Sequence, residues 1–319
     1  MPQRRPTHSL RSSCSSRCCS GRSWPAACTT KSEMAQTLAV PPFRSPRRFR
    51  PGSVLVHLVL LASVVVILLP YYLMVSTSFK PLREIFTDPF TWIPSRLAWE
   101  NYVDAWNHAP FGRYFLNSTI ISVSETFGVL ITSALAAYAF SRMRFRGREV
   151  LFVIFLGTLM VPGEVQLVPN FITIVRLGWL NTYYALIIPW LASVFGIFFL
   201  RQFFATIPQE LQDAATMDGA SHWTFLWRVV IPLSTPALIT VALLTFLGSW
   251  NALTWPLIVT NSPEMRPIMV GLLSFQNEWG TQPRLLMAAA TFSVLPILLL
   301  FFILQRYFIQ GIARAGIKF

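Results

Sequence analysis

Apolar positions in this chain come in long uninterrupted blocks rather than in the alternating or 3.6-residue pattern of a half-buried element. Six such runs, each about twenty residues long, follow residue 52: 53–75, 115–140, 150–172, 183–204, 234–259 and 284–305. A helix of ~20 apolar residues crosses the ~30 Å hydrocarbon layer of a bilayer, and in lipid only a helix or a closed barrel satisfies its own backbone polar groups. The blocks therefore predict an all-α, polytopic membrane protein with six transmembrane helices. The third run is interrupted by Pro162-Gly163 and Pro169. Prolines inside spans are tolerated where neighbouring helices or waters satisfy the freed carbonyls, which points to a packed bundle.

Composition supports this reading. Of 319 residues, 54% are hydrophobic and 12% charged, about half the ~25% charge of an ordinary globular chain. The balance of 26 Lys+Arg against 13 Asp+Glu gives a net charge of +13. Such basicity serves nucleic acid or anionic lipid; in so apolar a chain it favours lipid, and no nucleic-acid partner is expected. With the N-terminus inside, 19 of the basic residues fall on inner segments and 7 on outer ones. By the positive-inside rule both termini are then cytoplasmic. Discarding residues 1–33 leaves 13 against 7, with the same outcome.

Residues 1–52 are rich in Arg, Ser and Pro without periodicity and read as a disordered basic tail. All four cysteines, Cys14, Cys18, Cys19 and Cys28, lie there, so the body 53–319 has no disulfide or thiol chemistry. Their spacing does not match paired zinc knuckles, and no metal is expected. Met34 offers an alternative start, which would leave 1–33 untranslated. The basic leader after it lacks a small-residue cleavage site behind a short apolar core, so it does not read as a removable signal peptide. Lys31, Lys80 and Lys318 are the only lysines and none follows a phosphate-loop glycine pattern. No histidine pair has metal-ligand spacing, and no Gly-x-Ser-x-Gly elbow occurs. Direct catalysis and a bound cofactor are not expected.

The outer segments 76–114 and 260–283 are the sizeable ones, and the first carries Trp92, Trp99, Tyr102 and Trp106, residues that favour the membrane interface. The inner segment 205–233, between spans four and five, is unusually long. Thr206 is placed to N-cap a helix with Pro208 in its first turn and Gln209 at the capping-box position. Gly219 permits a break, and a second helical piece runs from near Ser221 to before Pro232. The bland reading is a helix-turn-helix that only joins two spans.

The residue order there, Asp213-Ala214-Ala215-Thr216-Met217-Asp218-Gly219-Ala220 with Pro232 downstream, resembles the cytoplasmic coupling loop of ATP-binding-cassette importer permeases, whose pattern is Glu-Ala-Ala-x3-Gly followed by a proline. The first acid here is Asp, a shorter side chain. Trp99-Glu100-Asn101-Tyr102, Arg113-Tyr114-Phe115-Leu116-Asn117-Ser118, Ala136-Ala137-Tyr138-Ala139-Phe140-Ser141-Arg142, Val161-Pro162-Gly163-Glu164 and Gln305-Arg306-Tyr307-Phe308 with Gly311 look like carbohydrate permeases of the maltose type. The resemblance implies a permease of a bacterial or archaeal plasma membrane that pairs with a second, homologous permease. Two separate ATP-binding subunits dock beneath, and an extracytoplasmic binding protein delivers a sugar. It assigns the ATPase-coupling loop to Glu210, Asp213, Ala214, Ala215, Asp218, Gly219, Ala220 and Pro232, and places ATP on the partner. Family members often carry an acid after the Trp-Asn of span five, where this chain reads Trp250-Asn251-Ala252.

Glu125 and Glu164 lie inside spans, where ionisable groups are costly and face a cavity or a partner; the alternative is a helix-packing hydrogen bond. Trp250, Asn251 and Trp255 combine sugar-stacking faces with an amide, although aromatics in bundles more often pack. These five are the candidate translocation path. By resemblance, Ser274, Phe275, Gln276 and Asn277 touch the binding protein. Permeases for amino acids, peptides or polyols remain alternatives, as does an ATP-independent secondary transporter.

Overall fold

A computed structural model describes the backbone of residues 51–86, 91–277 and 280–316, and side chains over 55–86, 91–275 and 282–305. The expected tail, its cysteines and the alternative start at Met34 lie outside the described residues. The chain divides into two units, 1–59 and 60–319; of the first, the start of one helix is described. In chain order the helices are α1 (Pro51–Ser78), α2 (Leu82–Ile85), α3 (Glu100–His108), α4 (Phe111–Arg142), α5 (Arg148–Thr158), α6 (Gly163–Arg176) and α7 (Tyr183–Ile187). There follow α8 (Val194–Ala205), α9 (Gln209–Met217), α10 (His222–Phe225), α11 (Ile231–Leu233), α12 (Thr235–Trp250), α13 (Thr254–Val259), α14 (Ile268–Gly271) and α15 (Pro283–Gly316). One two-stranded antiparallel pair, β1 (Gln276–Asn277) with β2 (Gly280–Thr281), interrupts the helices.

Three helical segments are long and apolar enough to cross a membrane unaided: Leu55–Ser78, Phe111–Arg142 and Pro283–Gln305. Three more candidates are bent pairs: Arg148–Thr158 with Gly163–Arg176 at 95°, Tyr183–Trp190 with Val194–Ala205 at 41°, and His222–Leu233 with Thr235–Trp250 at 79°. The protein is thus an all-helical membrane chain with three to six candidate spans. The expected third run turns sharply between Thr158 and Gly163, where Pro162, non-helical, immediately precedes α6. The expected fifth run is also not one rod: α12 ends at Trp250 and α13 begins at Thr254.

Leu55, Val59, Leu61, Val66 and Ile67 on α1 are all more than half exposed, an apolar surface of the kind that lipid or another apolar helix covers. The core forms instead around α4, which packs against α8 and α12 through Val129, Ala137, Leu200, Phe204 and Val241. A Cβ on Gly196 of α8 would lie 2.6 Å from Ser133 Oγ on α4, so the missing side chain sets how closely these helices approach. A second core joins α3, α4, α12 and α15 through Ala105, Phe111, Phe246, Trp250 and Ala288.

Buried polar side chains fasten loops to this frame. The Asn117 amide on α4, fully buried, donates to the Glu264 and Arg266 carbonyls at 2.8 and 3.0 Å and accepts from Tyr183 Oη at 2.7 Å. Asn101 donates to the Ser78 and Lys80 carbonyls, both at 2.9 Å, and accepts from Arg284. Beyond α1, Glu84 accepts from the Ser95 hydroxyl and from its backbone N–H. Those two bonds, the hydroxyl first, hold its carboxyl below the usual carboxylate range. Gly271 lies against Tyr114: a Cβ there would stand 2.2 Å from Cδ2 of the ring. Gly271→Ala is therefore expected to destabilise the fold by about 1–3 kcal/mol through overpacking, read as a lower thermal midpoint of the purified protein. An unchanged midpoint would show that Tyr114 moves aside freely.

Candidate functional site

The region 205–233 is built from three short turns of helix with a different chemistry at each junction. Pro208 precedes α9 with extended backbone and offers no capping side chain. The expected Thr206 cap is therefore corrected: its Oγ1 donates back to the Phe203 carbonyl at 2.7 Å and belongs to the end of α8. The Thr206 backbone is αR, the C-cap of α8, and the position before α9 falls to Pro208 two residues later.

At its other end α9 closes on Gly219, whose φ of +78° lies in the left-handed region. The Gly219 N–H donates to the Thr216 carbonyl at 3.0 Å and the Ala220 N–H to the Ala215 carbonyl at 2.9 Å. These are the 5→2 and 6→1 bonds of a Schellman stop, which a residue with a Cβ adopts only at a cost. Ser221 then caps α10, its Oγ accepting from the Thr224 N–H at 3.2 Å. The chain leaves through a π-helical turn, Leu226–Val230. Pro232, expected to lie beyond the helical piece, sits inside α11 instead. The wider i→i+5 turn shifts the hydrogen-bond register ahead of a residue that has no N–H to donate.

Along α9 the two faces differ. Ala215 is half-buried and packs on the α4–α8–α12 core. Glu210, Asp213, Ala214, Met217, Asp218 and Gly219 are exposed, and Met217 is 84% exposed. Asp213 accepts from Gln209 Nε2 at 3.4 Å, and Gln209 Oε1 in turn accepts from Arg142 at 3.2 Å. The other guanidinium nitrogen of Arg142 donates to the Phe204 and Ile207 carbonyls at the end of α8. One turn earlier on α4, Tyr138 Oη is 2.9 Å from His222 Nδ1 on α10. Both flanks of α9 are thus tied to one face of α4. Arg142 and Tyr138 stand in the family-like stretch 136–142, but no sequence signal ties them to α9, because their partners are more than 60 residues away.

A second feature is a cavity of about 370 Å³ bounded by α4, α6, α7, α12 and α13. Glu125, Glu164 and Trp255 of the candidate path meet there, joined by Ser249, Thr254 and Trp190. Glu164 stands in the first turn of α6, just after the proline break, where the helix dipole favours an acidic residue. Glu125 comes from the middle of α4, beside Ser249. Trp255 is 5% exposed and shows the cavity part of a ring whose Nε1 donates to the Ala185 carbonyl at 2.9 Å. Trp190 meets it edge to face, the centroids 5.9 Å apart. The Pro189-Trp190 pair, in the 3-10 turn after α7, is the sequence signal that would have added Trp190.

The structure places the remaining path candidates elsewhere. Trp250 is 2% exposed, stacks on Phe246 and donates its indole N–H to the Ser293 carbonyl at 3.0 Å. It is a core residue, because α12 aims it at α15 before the chain breaks. Asn251 donates to the Leu247 carbonyl at 2.8 Å and does not line the cavity. Phe275, expected to touch a binding protein, is fully buried with its ring stacked on His108 and Phe111; the 3-10 turn Leu272–Phe275 folds it inward. Ser274 is half-buried and donates to the Gly271 carbonyl. Gln276 and Asn277 form β1. Among the described residues no group of three or more His, Cys, Asp or Glu is arranged to hold a metal ion.

Residues 128–314 match the family described as "Binding-protein-dependent transport system inner membrane component". The chain is 34% identical over 264 residues to the sn-glycerol-3-phosphate transport system permease protein UgpE of Pectobacterium atrosepticum, covering 80% of this chain and 94% of that one. It is 33% identical over 252 residues to the arabinooligosaccharides transport system permease protein AraQ of Halalkalibacterium halodurans, covering 78% and 90%. Among solved structures, it is similar to a chain of a bacterial ABC transporter involved in import of the acidic polysaccharide alginate. That likeness has a TM-score of 0.74 at 25% identity, covering 84% of this chain and 99% of that one.

Proposed function

This chain belongs to the family of binding-protein-dependent transport system inner membrane components, and on that premise we propose that α9 and its flanking turns couple it to separate ATP-binding subunits. The chain is the permease of a sugar importer and not an enzyme. In this reading it crosses the membrane six times, at 53–75, 115–140, 150–172, 183–204, 234–259 and 284–305, with both termini and the 205–233 segment on the cytoplasmic side. A second, homologous permease completes the path, and two ATPase subunits bind and hydrolyse the nucleotide. A binding protein on the far side delivers the sugar, touching the segment that carries Ser274, Phe275, Gln276 and Asn277.

The observation that carries the coupling assignment is the geometry of α9. An exposed acidic and small-residue face is terminated by a left-handed glycine and tied at both flanks to α4. Small residues let a partner approach closely, and the acids offer charge to basic side chains. Force applied to α9 has polar connections into the membrane helix at the centre of the bundle. The test is energisation. Uptake by vesicles carrying the whole transporter is expected to stop with vanadate and to persist with a protonophore, and an ATPase is expected to copurify. Uptake abolished by the protonophore, with no ATPase in the complex, would make this a secondary transporter and end the coupling assignment.

A further inference from the structure

The geometry points to the Glu125–Glu164 cavity as a charge filter, which takes one uncharged or amine-bearing sugar ring and rejects an anionic one. This deepens, and rests on, the permease reading above. About 370 Å³ is at the small end of ligand pockets, ~300–1,000 Å³, which suits a single ring of a longer saccharide rather than the whole of one.

The lining chemistry selects by charge. Two carboxyl groups face the space, from α4 and from the first turn of α6, and Ser249 and Thr254 add hydroxyls. None of the lining residues is Lys, Arg or His; Arg266 neighbours the lining residue Pro267 but does not itself line the space. Carboxylate oxygens accept from sugar hydroxyls or an ammonium group and repel a carboxylate or phosphate. Glu125 is half-buried and Glu164 exposed, so the repulsion acts from the wall inward and from the mouth, and it is strongest beside Glu125, where less water screens it. Trp190 and Trp255 meet edge to face at one wall, presenting aromatic carbon to the C–H surface of a ring. A permease for sn-glycerol-3-phosphate is 34% identical to this chain, and a transporter of an acidic polysaccharide shares its fold. Likeness to them therefore does not carry over an anionic substrate.

Saturation-transfer NMR on the detergent-solubilised complete transporter, without binding protein, isolates the cavity's contribution. Methyl α-glucopyranoside, glucosamine and glucuronate serve as probes that share a ring and differ in charge. The first two are expected to bind and glucuronate to bind at least tenfold more weakly. The Glu125→Gln/Glu164→Gln double variant, nearly isosteric, is expected to bring glucuronate within about threefold of the neutral probe. Its thermal midpoint and ATPase activity check that it folds and assembles. Glucuronate binding within threefold of the neutral probe in the unmodified transporter overturns the filter. So does a preference unchanged in the double variant, or no probe bound at all, as when a second permease fills the space. Binding does not depend on energisation, so a failed vanadate test removes the coupling reading and leaves this result to be judged separately.

Discussion

Gly219→Trp is expected to abolish ATP-driven uptake while the chain still inserts and assembles. The φ of +78° at Gly219 allows the paired bonds that close α9, and a side chain there costs about 1–2 kcal/mol in backbone strain. Nothing lies within 4 Å of the position a Cβ would take, so no core clash threatens the fold. The strain is small against the ~5–15 kcal/mol that holds a domain together, yet it falls on the one junction that orients α9 against α10. The indole also projects into the exposed face where a partner would dock. Gly219→Asn separates the two effects, because asparagine tolerates left-handed backbone; it should retain most of the uptake that Trp removes. Asp213→Lys, which reverses charge on the same face, should lose uptake as well. The measurements are labelled-sugar uptake and the amount of protein in the membrane fraction. Normal uptake by Gly219→Trp would sink the coupling assignment.

The apolar runs and the stop at Gly219 were readable along the chain because both are set locally. Twenty apolar residues need a bilayer whatever their neighbours, and glycine before a serine cap marks a helix end. What escaped depends on direction in space. Pro162 announces a break but not a 95° turn, since a proline removes a bond without fixing where the chain goes next. Trp250 and Trp255 look alike in sequence, five residues apart. The interruption between α12 and α13 sends one indole to Ser293 and the other to Ala185. Phe275 is expected at a partner surface by resemblance, yet a single 3-10 turn stacks its ring on His108 and Phe111. Glu125 and Glu164 were identifiable singly by the cost of charge in lipid; that they share a cavity follows from the bend between α5 and α6.

Arg142→Ala is expected to uncouple the transporter, lowering sugar moved per ATP hydrolysed at least tenfold while ATP hydrolysis persists. The guanidinium donates to two carbonyls at the end of α8 and to Gln209 at the start of α9. A cation there complements the negative end of the α8 dipole. The Phe204 carbonyl keeps the Ile207 N–H at 3.3 Å, but the Ile207 carbonyl, on a residue only 7% exposed, loses its donor where water reaches poorly, at ~1–3 kcal/mol. Tyr138, four residues earlier and so on the same face of α4, holds His222 at the far flank of α9. With both ties intact, α9 cannot shift without pulling this end of α4; with Arg142 gone, its polar tie to α4 is the Tyr138–His222 contact, beside the packing of Ala215 on the core. Arg142→Lys should fall between, since an ammonium cannot present the planar fork that reaches both carbonyls and the Gln209 amide. Tyr138→Phe, losing one neutral hydrogen bond, should cost only about threefold. A merely structural arginine would lower uptake and hydrolysis together through loss of assembled complex. The ratio of the two, measured in proteoliposomes, is therefore the deciding quantity, and an unchanged ratio in Arg142→Ala removes the tie from the coupling path.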